Sequence, residues 1–314
     1  MRALAVQLLP DNRRQRRLVY DWPEPRGPVN NEVKVQTIYT GVTNGTERNV
    51  LMGGNYAHPD DALPVAWGYQ NVGRVVEVGP EVHDLRVGDI AYMSAEHVEY
   101  VVMSEDGLLI RLPLDVDARH AALFGMSAVA VRTCRTADPQ LGEEVLIVGA
   151  GFVGQMVAQV AAVMGARVTI GDVDAARLDI ARRIGSAAIL DLSARRWEQA
   201  VADGSFDVVI DVAGVPGMED QLIVATRPRG RVLFIAGRAQ VTYTFNLGQN
   251  REITLKQNSH FDREDLGALL WMVRAGKVRI GPLVQDVVPV DEAAGIYDRL
   301  RDNPQTLLGS VFIW

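Results

Sequence analysis

Residues Val33-Lys34-Val35-Gln36-Thr37 alternate apolar and polar positions with a period of two, the pattern of a strand with one buried face. Short apolar runs follow at Val72–Val78, Ile90–Met93, Glu99–Met103 and Gly107–Pro113, punctuated by Gly, Pro and Asn, so residues 1–117 predict a β-rich body. From residue 118 the pattern changes. Apolar strands are expected at 144–148, 167–171, 187–190, 207–211 and 231–236, with helical stretches between them. One such stretch places Ala175, Leu178, Ala181 and Ile184 three residues apart and closes on Gly185. Strands alternating with helices imply a parallel sheet covered by helices on both faces. After residue 283 only one helix (EAAGIYDRLRD) and one strand (LGSVFIW) remain. They are too small to fold alone and are expected to return to the first body. The fold class is α/β: a β-rich domain of residues 1–117 and 284–314, and a doubly wound domain of residues 118–283.

Composition narrows the function classes. Lys+Arg 32 against Asp+Glu 39 leaves a net charge of −7, which argues against nucleic acid or an anionic membrane as partner. The one basic run, Arg13-Arg14-Gln15-Arg16-Arg17, is expected to be a solvated turn or strand face, with anion binding as the alternative. No apolar stretch reaches the roughly 18 residues that a membrane span needs. The opening MRALAVQLLP lacks the features of a secretory signal. The single cysteine, Cys134, excludes an internal disulfide, fits a reducing compartment and sits in a helical context as a packing residue. The expectation is a cytoplasmic protein with a small-molecule substrate.

The most specific motif is VLIVGAGFVG, with Gly149, Gly151 and Gly154 in G-x-G-x-x-G spacing between an apolar strand and a helix. The next strand ends in Asp172, 23 residues after Gly149. This is the context of a dinucleotide site: a tight turn at Gly149, close backbone approach to a pyrophosphate at Gly151, and close helix packing at Gly154. Asp172 would accept hydrogen bonds from the adenosine ribose and repel a 2′-phosphate. It is followed by Val173 rather than Arg, so NAD is expected over NADP, with Arg177 as the residue that tempers the preference.

Several segments together, VGRVVEVGPEVHDLRVGD, HVEYVVMSEDGLLIRLP, the glycine motif, FDVVIDVAG and RVLFIAG, resemble the medium-chain dehydrogenase/reductase superfamily, the zinc alcohol dehydrogenases and their relatives. The resemblance runs along essentially the entire chain. It implies a GroES-like β-rich domain that carries substrate, a Rossmann domain, and an active site in the cleft. It adds Phe152, Val153, Ala213 and Gly237 to the cofactor residues. Zinc members carry a G-x-C-G-T-D-like motif and, further along, G-H-E. Here the first motif is TGVTNGTERN, with Thr43 near the cysteine's place and one residue inserted before Thr46-Glu47. The second is GYQ, with Tyr69 where the ligand His stands and Gln70 where Glu stands; AALFGMSAVAV offers Met126 and Ser127 but no Cys or His. The histidines at 58, 83, 97, 120 and 260 do not rebuild a ligand set, so the resemblance implies that zinc is absent. GTE, GYQ and the chain's ending look like the zinc-free branch that includes bacteriochlorophyllide a dehydrogenase; only the reaction class carries over.

Without a metal, hydrogen-bond donors must stabilise the developing alkoxide and a side chain must carry its proton. By the resemblance, Thr46 begins the relay, Tyr69 is the candidate donor, His97 could end the relay, and Glu47 supports the site. Tyr69 read without the family is a packing aromatic, His97 a packing or surface residue, and His58 a loop residue. The leading expectation is a zinc-independent NAD-dependent alcohol dehydrogenase or ketone reductase acting on a fairly large substrate. The alternatives are a quinone or enoyl reductase, and a dinucleotide-binding redox sensor without catalysis. A homodimer through the β-rich stretch VTYTFNL to EITLKQN at a sheet edge is also expected.

Overall fold

A computed structural model describes residues 1–193 and 196–314. The chain separates into two compact units, each taken by itself. One comprises Met1–Gly125, Asp262–Gly267 and Leu283–Trp314; the other comprises Met126–Phe261 and Ala268–Pro282. The first segment thus runs to Gly125, past the boundary expected at residue 117, and Asp262–Gly267 joins it. No helix among the described residues is long and apolar enough to cross a membrane.

The second unit holds a six-stranded sheet in the order Ala188–Asp191, Arg167–Asp172, Glu144–Val148, Phe206–Asp211, Thr226–Phe234, Thr254–Gln257. Every pairing is parallel. Numbered along the chain, the strand order is that of a Rossmann sheet, 3-2-1-4-5-6. The central strand is buried from Val145 to Val148 because neighbours flank it on both edges and helices cover its faces. The periodic stretch after Asp172 is the helix Ala175–Ile184. Asp174 caps it by accepting from the Ala176 and Arg177 amides, and Gly185 ends it at φ 76°. Cys134 is buried, its thiol 3.6 Å from the Val157 carbonyl, and burial raises its pKa well beyond the usual thiol range.

One expectation fails in this unit. The stretch VTYTFNL is not a strand; its second half opens the helix Phe245–Arg251. Asp220 accepts from both the amide and the hydroxyl of Thr244 at 2.6 Å, so the backbone here is satisfied by a carboxylate, not by a neighbouring strand. The edge strand is the shorter Thr254–Gln257.

In the first unit a seven-stranded sheet runs Asp286–Pro289, Ser310–Ile313, Glu32–Gly41, Asn71–Val78, Ile90–Met93, Leu109–Arg111, with Tyr100–Ser104 also paired to Glu32–Gly41. The C-terminal strand Ser310–Ile313 pairs antiparallel with Glu32–Gly41, so the tail does return to this body. A smaller sheet joins Arg14–Val19, Ala3–Leu8 and Val65–Ala66.

The basic run lies in that smaller sheet and corrects the second expectation. Arg13 and Arg17 are exposed, but Arg16 is 0% exposed. On a strand, side chains alternate between faces, and opposite Val6 this one turns inward. It meets Glu47, also 0% exposed, with Nη1 3.3 Å from Oε2. Tyr297 of the helix Ala293–Asp302 donates its hydroxyl to the same oxygen at 2.7 Å, and its ring lies 4.9 Å from the guanidinium centre. One carboxylate therefore joins the N-terminal strand, the helix Asn44–Leu51 and the C-terminal helix.

Burial alone would push the Glu47 carboxyl up. The charge of Arg16, then of His97, together with hydrogen bonds from His97 and the Thr43 amide, overcomes it and holds the carboxyl down at about 2. A folded-state pKa below the ordinary 4.5 gives stability that is complete above that pH and is lost as pH falls toward 2. Urea unfolding of the parent chain and of Glu47→Gln across this window should show the steeper acid loss in the parent. Equal slopes in the two proteins would remove Glu47 from the acid response.

Candidate active site

At the end of the central strand the chain turns at Gly149, whose φ of 107° disfavours any side chain; a Cβ there would lie 3.0 Å from the Ala213 nitrogen. A Cβ on Gly154 would lie 1.9 Å from the Gly149 carbonyl oxygen, so the helix Phe152–Val163 packs on the turn only because position 154 is bare. Gly151, the residue that caps this helix, is different. No side chain caps the helix, and a Cβ on Gly151 would meet nothing within 4 Å. No side chain satisfies the first-turn amides at this positive helix end, and there is room beside Gly151.

Asp172, at the tip of the neighbouring strand, sits against this turn. Its carboxylate accepts from the Ala150 amide at 2.6 Å and the Asp174 amide at 2.9 Å. Gln155 ties the turn to the next helix, donating to the carbonyls of Ala150 and Arg177 at 3.1 Å each. Of the other candidates, Phe152 is buried, Val153 half-buried, and Val173 and Gly237 exposed in loops after their strands. The Ala213 amide donates to the Val148 carbonyl at 3.0 Å. A cluster missed in the sequence lies at the adjacent strand end. Arg238 pairs with Asp211 and, at 3.2 Å, with Glu219, while Asp211 accepts from the Gly214 amide at 2.9 Å. The signal was present: Asp211 ends FDVVID and Arg238 directly follows RVLFIAG.

In the first unit the candidates Thr43, Thr46, Glu47, Tyr69, Gln70 and His97 are brought together. The helix Asn44–Leu51 starts directly after Thr43, and Glu47 reaches back to accept the Thr43 amide at 2.7 Å, as the acid of a capping box does from one residue earlier. His97 Nε2 lies 3.3 Å from the same oxygen, Oε1, and its ring meets Phe312 edge-on at 6.1 Å. The ring fills the space beside Gly68, where a Cβ would lie 2.5 Å from His97 Cδ2. His97 is fully buried, so it reaches the rest of the site only through its neighbours.

Above this ionic base lies a layer of neutral groups. Gln70, fully buried, donates to the Thr43 hydroxyl at 3.0 Å and to the Gly41 carbonyl at 3.4 Å. The half-buried Tyr69 has Thr46 and Thr43 side chains as hydroxyl partners. Burial pushes its phenol above the ordinary range, and these two hydrogen bonds pull it back toward that range. Tyr92 donates to the Tyr69 carbonyl at 3.0 Å, and Trp67 packs edge-on at 6.2 Å. His58 stands apart: its carbonyl accepts from Arg14 at 2.8 Å. Met126 and Ser127 are buried on the helix Phe124–Ala137, where the second unit begins. Among the described residues, no three His, Cys, Asp or Glu side chains converge as a metal-holding group.

Known proteins share this fold. The family described as "Alcohol dehydrogenase GroES-like domain" matches residues 29–113, and that described as "Zinc-binding dehydrogenase" matches residues 153–273. The L-threonine 3-dehydrogenase of Streptomyces avermitilis is 30% identical, over 68% of this chain and 72% of its own. "Probable D-xylulose reductase A" of Aspergillus clavatus is 27% identical, with 92% of each chain covered. The solved 2R,3R-butanediol dehydrogenase of Bacillus subtilis has the same fold, with a TM-score of 0.84 at 22% identity, covering 100% of this chain and 99% of that one. With one family match on each unit and a relative that aligns across both, the chain belongs to the medium-chain dehydrogenase/reductase superfamily, in its zinc alcohol dehydrogenase-like part.

Proposed function

We propose that the protein is an NAD(H)-dependent dehydrogenase or ketone reductase that interconverts a secondary alcohol and its ketone without zinc. The named relatives are two dehydrogenases and a reductase, which supports the coarser reading of an alcohol dehydrogenase-type oxidoreductase. The observation that carries the finer reading is the hydroxyl cluster of Tyr69, Thr43 and Thr46 on a buried carboxylate. Zinc prefers thiolate, imidazole and carboxylate ligands. Besides one buried imidazole, His97, whose Nε2 is directed at Glu47, this cluster offers phenol, alcohol and amide groups, and both oxygens of Glu47 already accept from other donors. That donor set does not fit zinc.

The glycine turn fits a dinucleotide: room at Gly151, first-turn amides that no side chain caps, and a carboxylate beside the turn. NAD(H) supplies or accepts the hydride. Asp172 keeps lone pairs for ribose hydroxyls and sets a negative charge where a 2′-phosphate would lie. Tyr69 donates its O–H to the substrate oxygen as negative charge develops there, the task a metal performs elsewhere. Thr46 and Thr43, hydrogen-bonded to the phenol, hold it in one orientation and offer a path for its proton. The sheet edge at Thr254–Gln257, with no further strand beyond it among the described residues, is the surface for a homodimer.

NAD(H) should bind more tightly than NADP(H), and Asp172→Ala should narrow the gap; equal affinities in the parent protein would contradict the assignment. Native mass spectrometry should find a dimer without stoichiometric zinc. A monomer would remove the edge-strand interface, and one zinc per chain would remove the metal-free mechanism. Tyr69→Phe removes one hydroxyl and keeps the ring, so turnover should fall roughly 10²–10⁴-fold with cofactor affinity nearly unchanged. Thr46→Val should also slow turnover, and the double variant should lose less than the product of the single losses, because a relay fails as a unit. Parent-like turnover in Tyr69→Phe would return Tyr69 to a packing role.

A further inference from the structure

Arg16 is the one arginine of its run that the chain buries completely. Keeping an ion pair in an interior is rarely the most stable choice, since apolar replacements of such pairs are often neutral or stabilising. The Arg16–Glu47 pair therefore calls for a reason besides stability, and the contacts of the guanidinium supply one.

Arg16 Nη1 is shared between two acceptors, the Trp67 carbonyl at 2.6 Å and Glu47 Oε2 at 3.3 Å. Trp67 stands two residues before Tyr69 in the chain, with only Gly68 between them. Glu47, through its other oxygen, accepts the Thr43 amide at 2.7 Å, and the Thr43 hydroxyl meets both Gln70 and the Tyr69 phenol. Two routes thus run from one guanidinium to one hydroxyl. The first passes through the Trp67–Tyr69 backbone, the second through Glu47 and Thr43. They close a ring whose far side is the hydrogen bond between Thr43 and Tyr69.

We propose that Arg16 is a positioning residue for this cluster, fixing Tyr69 and Thr43 against each other by gripping Trp67 and Glu47 at once. The other groups around the carboxylate complete the cradle. Tyr297 donates to Oε2 and lies under the guanidinium face, and His97 fills the gap at Gly68. The hydrogen bond to Trp67 and the ion pair with Glu47 both run through Nη1, while the guanidinium face rests on Tyr297. A lysine would bring the charge but not a planar guanidinium with several fixed N–H directions.

The inference deepens the proposed function and rests on it for its kinetic part; an activity-free measurement separates the two. Arg16→Lys preserves the charge opposite Glu47, and Arg16→Met/Glu47→Gln removes both charges while keeping similar volumes. Arg16→Lys should retain most of the parent's thermal stability. Both variants should nevertheless lose turnover about tenfold or more with KM unchanged, the mark of an interaction that matters in the transition state. In both, the Thr43 amide, followed by hydrogen exchange in the cofactor-free full chain, should exchange roughly tenfold faster or more, the usual worth of a hydrogen bond to an ionised acceptor. A purely structural ion pair predicts otherwise: parent-like turnover once the charges are removed together, and parent-like Thr43 protection in Arg16→Lys, where Glu47 still accepts the Thr43 amide. Parent-like turnover in the neutral double variant would overturn the proposal. If the double variant fails to fold, unchanged Thr43 exchange and turnover in Arg16→Lys would overturn it alone. Should even the parent chain turn over no alcohol, the functional reading falls, while Thr43 exchange still decides the role of Arg16.

Discussion

A carboxylate with no access to water must be matched by its surroundings, and in this protein that constraint organises the β-rich unit. Glu47 takes hydrogen bonds or charge from Thr43, Tyr297, Arg16 and His97, groups on four separate segments of the chain. Removing any one leaves part of the desolvation unmatched, and in a low dielectric each unmatched group is costly. The arrangement is therefore cooperative. It also explains why the N-terminal strand and the C-terminal helix belong to one body although they lie at opposite ends of the chain.

The dinucleotide side is built on a different constraint, steric rather than electrostatic. Gly149 and Gly154 are bare because backbone atoms occupy the places their side chains would need, whereas Gly151 is bare in front of open space. Only the last of these is unexplained by packing within the protein. What sets Gly151 apart is its place: the room beside it lies at the uncapped N-terminus of the helix Phe152–Val163, where a group approaching from outside would meet unsatisfied amides.

What could be read in the sequence follows the range of the forces involved. The Rossmann alternation, the helix closed by Gly185 and the return of the C-terminal strand are encoded by local periodicity and turn chemistry, so they were legible. The Tyr69, Thr46 and Glu47 positions came from the family resemblance, and the structure draws them into one cluster. Arg16 was hidden because nothing local distinguishes it from Arg17; strand parity and a partner 31 residues away decide that it turns inward. VTYTFNL misled for a similar reason. Its β-branched and aromatic residues suit a strand, but Asp220 satisfies the backbone at Thr244 and a helix follows. The Asp211–Glu219–Arg238 cluster was only half legible: Asp211 and Arg238 flag themselves by ending or following apolar strands, but Glu219, at the start of a helix, joins them only in three dimensions.

In the proposed metal-free reading, the polar core beneath Tyr69 separates two tasks that a metal ion would combine. A divalent cation both fixes geometry and supplies the charge that stabilises an alkoxide. Here the charges are placed in a dry lower layer, where Arg16 and Glu47 face each other and largely cancel at a distance. The upper layer, Tyr69 with Thr43, Thr46 and Gln70, is neutral and rich in hydroxyls that can both donate and accept. A neutral donor on a rigid ionic base costs little reorganisation when charge develops on a substrate oxygen, because the dipoles that receive it are already oriented. The same layering makes position more important than acidity. A phenol whose burial raises its pKa is a weak acid on its own, and its usefulness depends on being held, through Thr43 and the Trp67–Tyr69 backbone, where a proton can leave along a hydrogen bond that already exists.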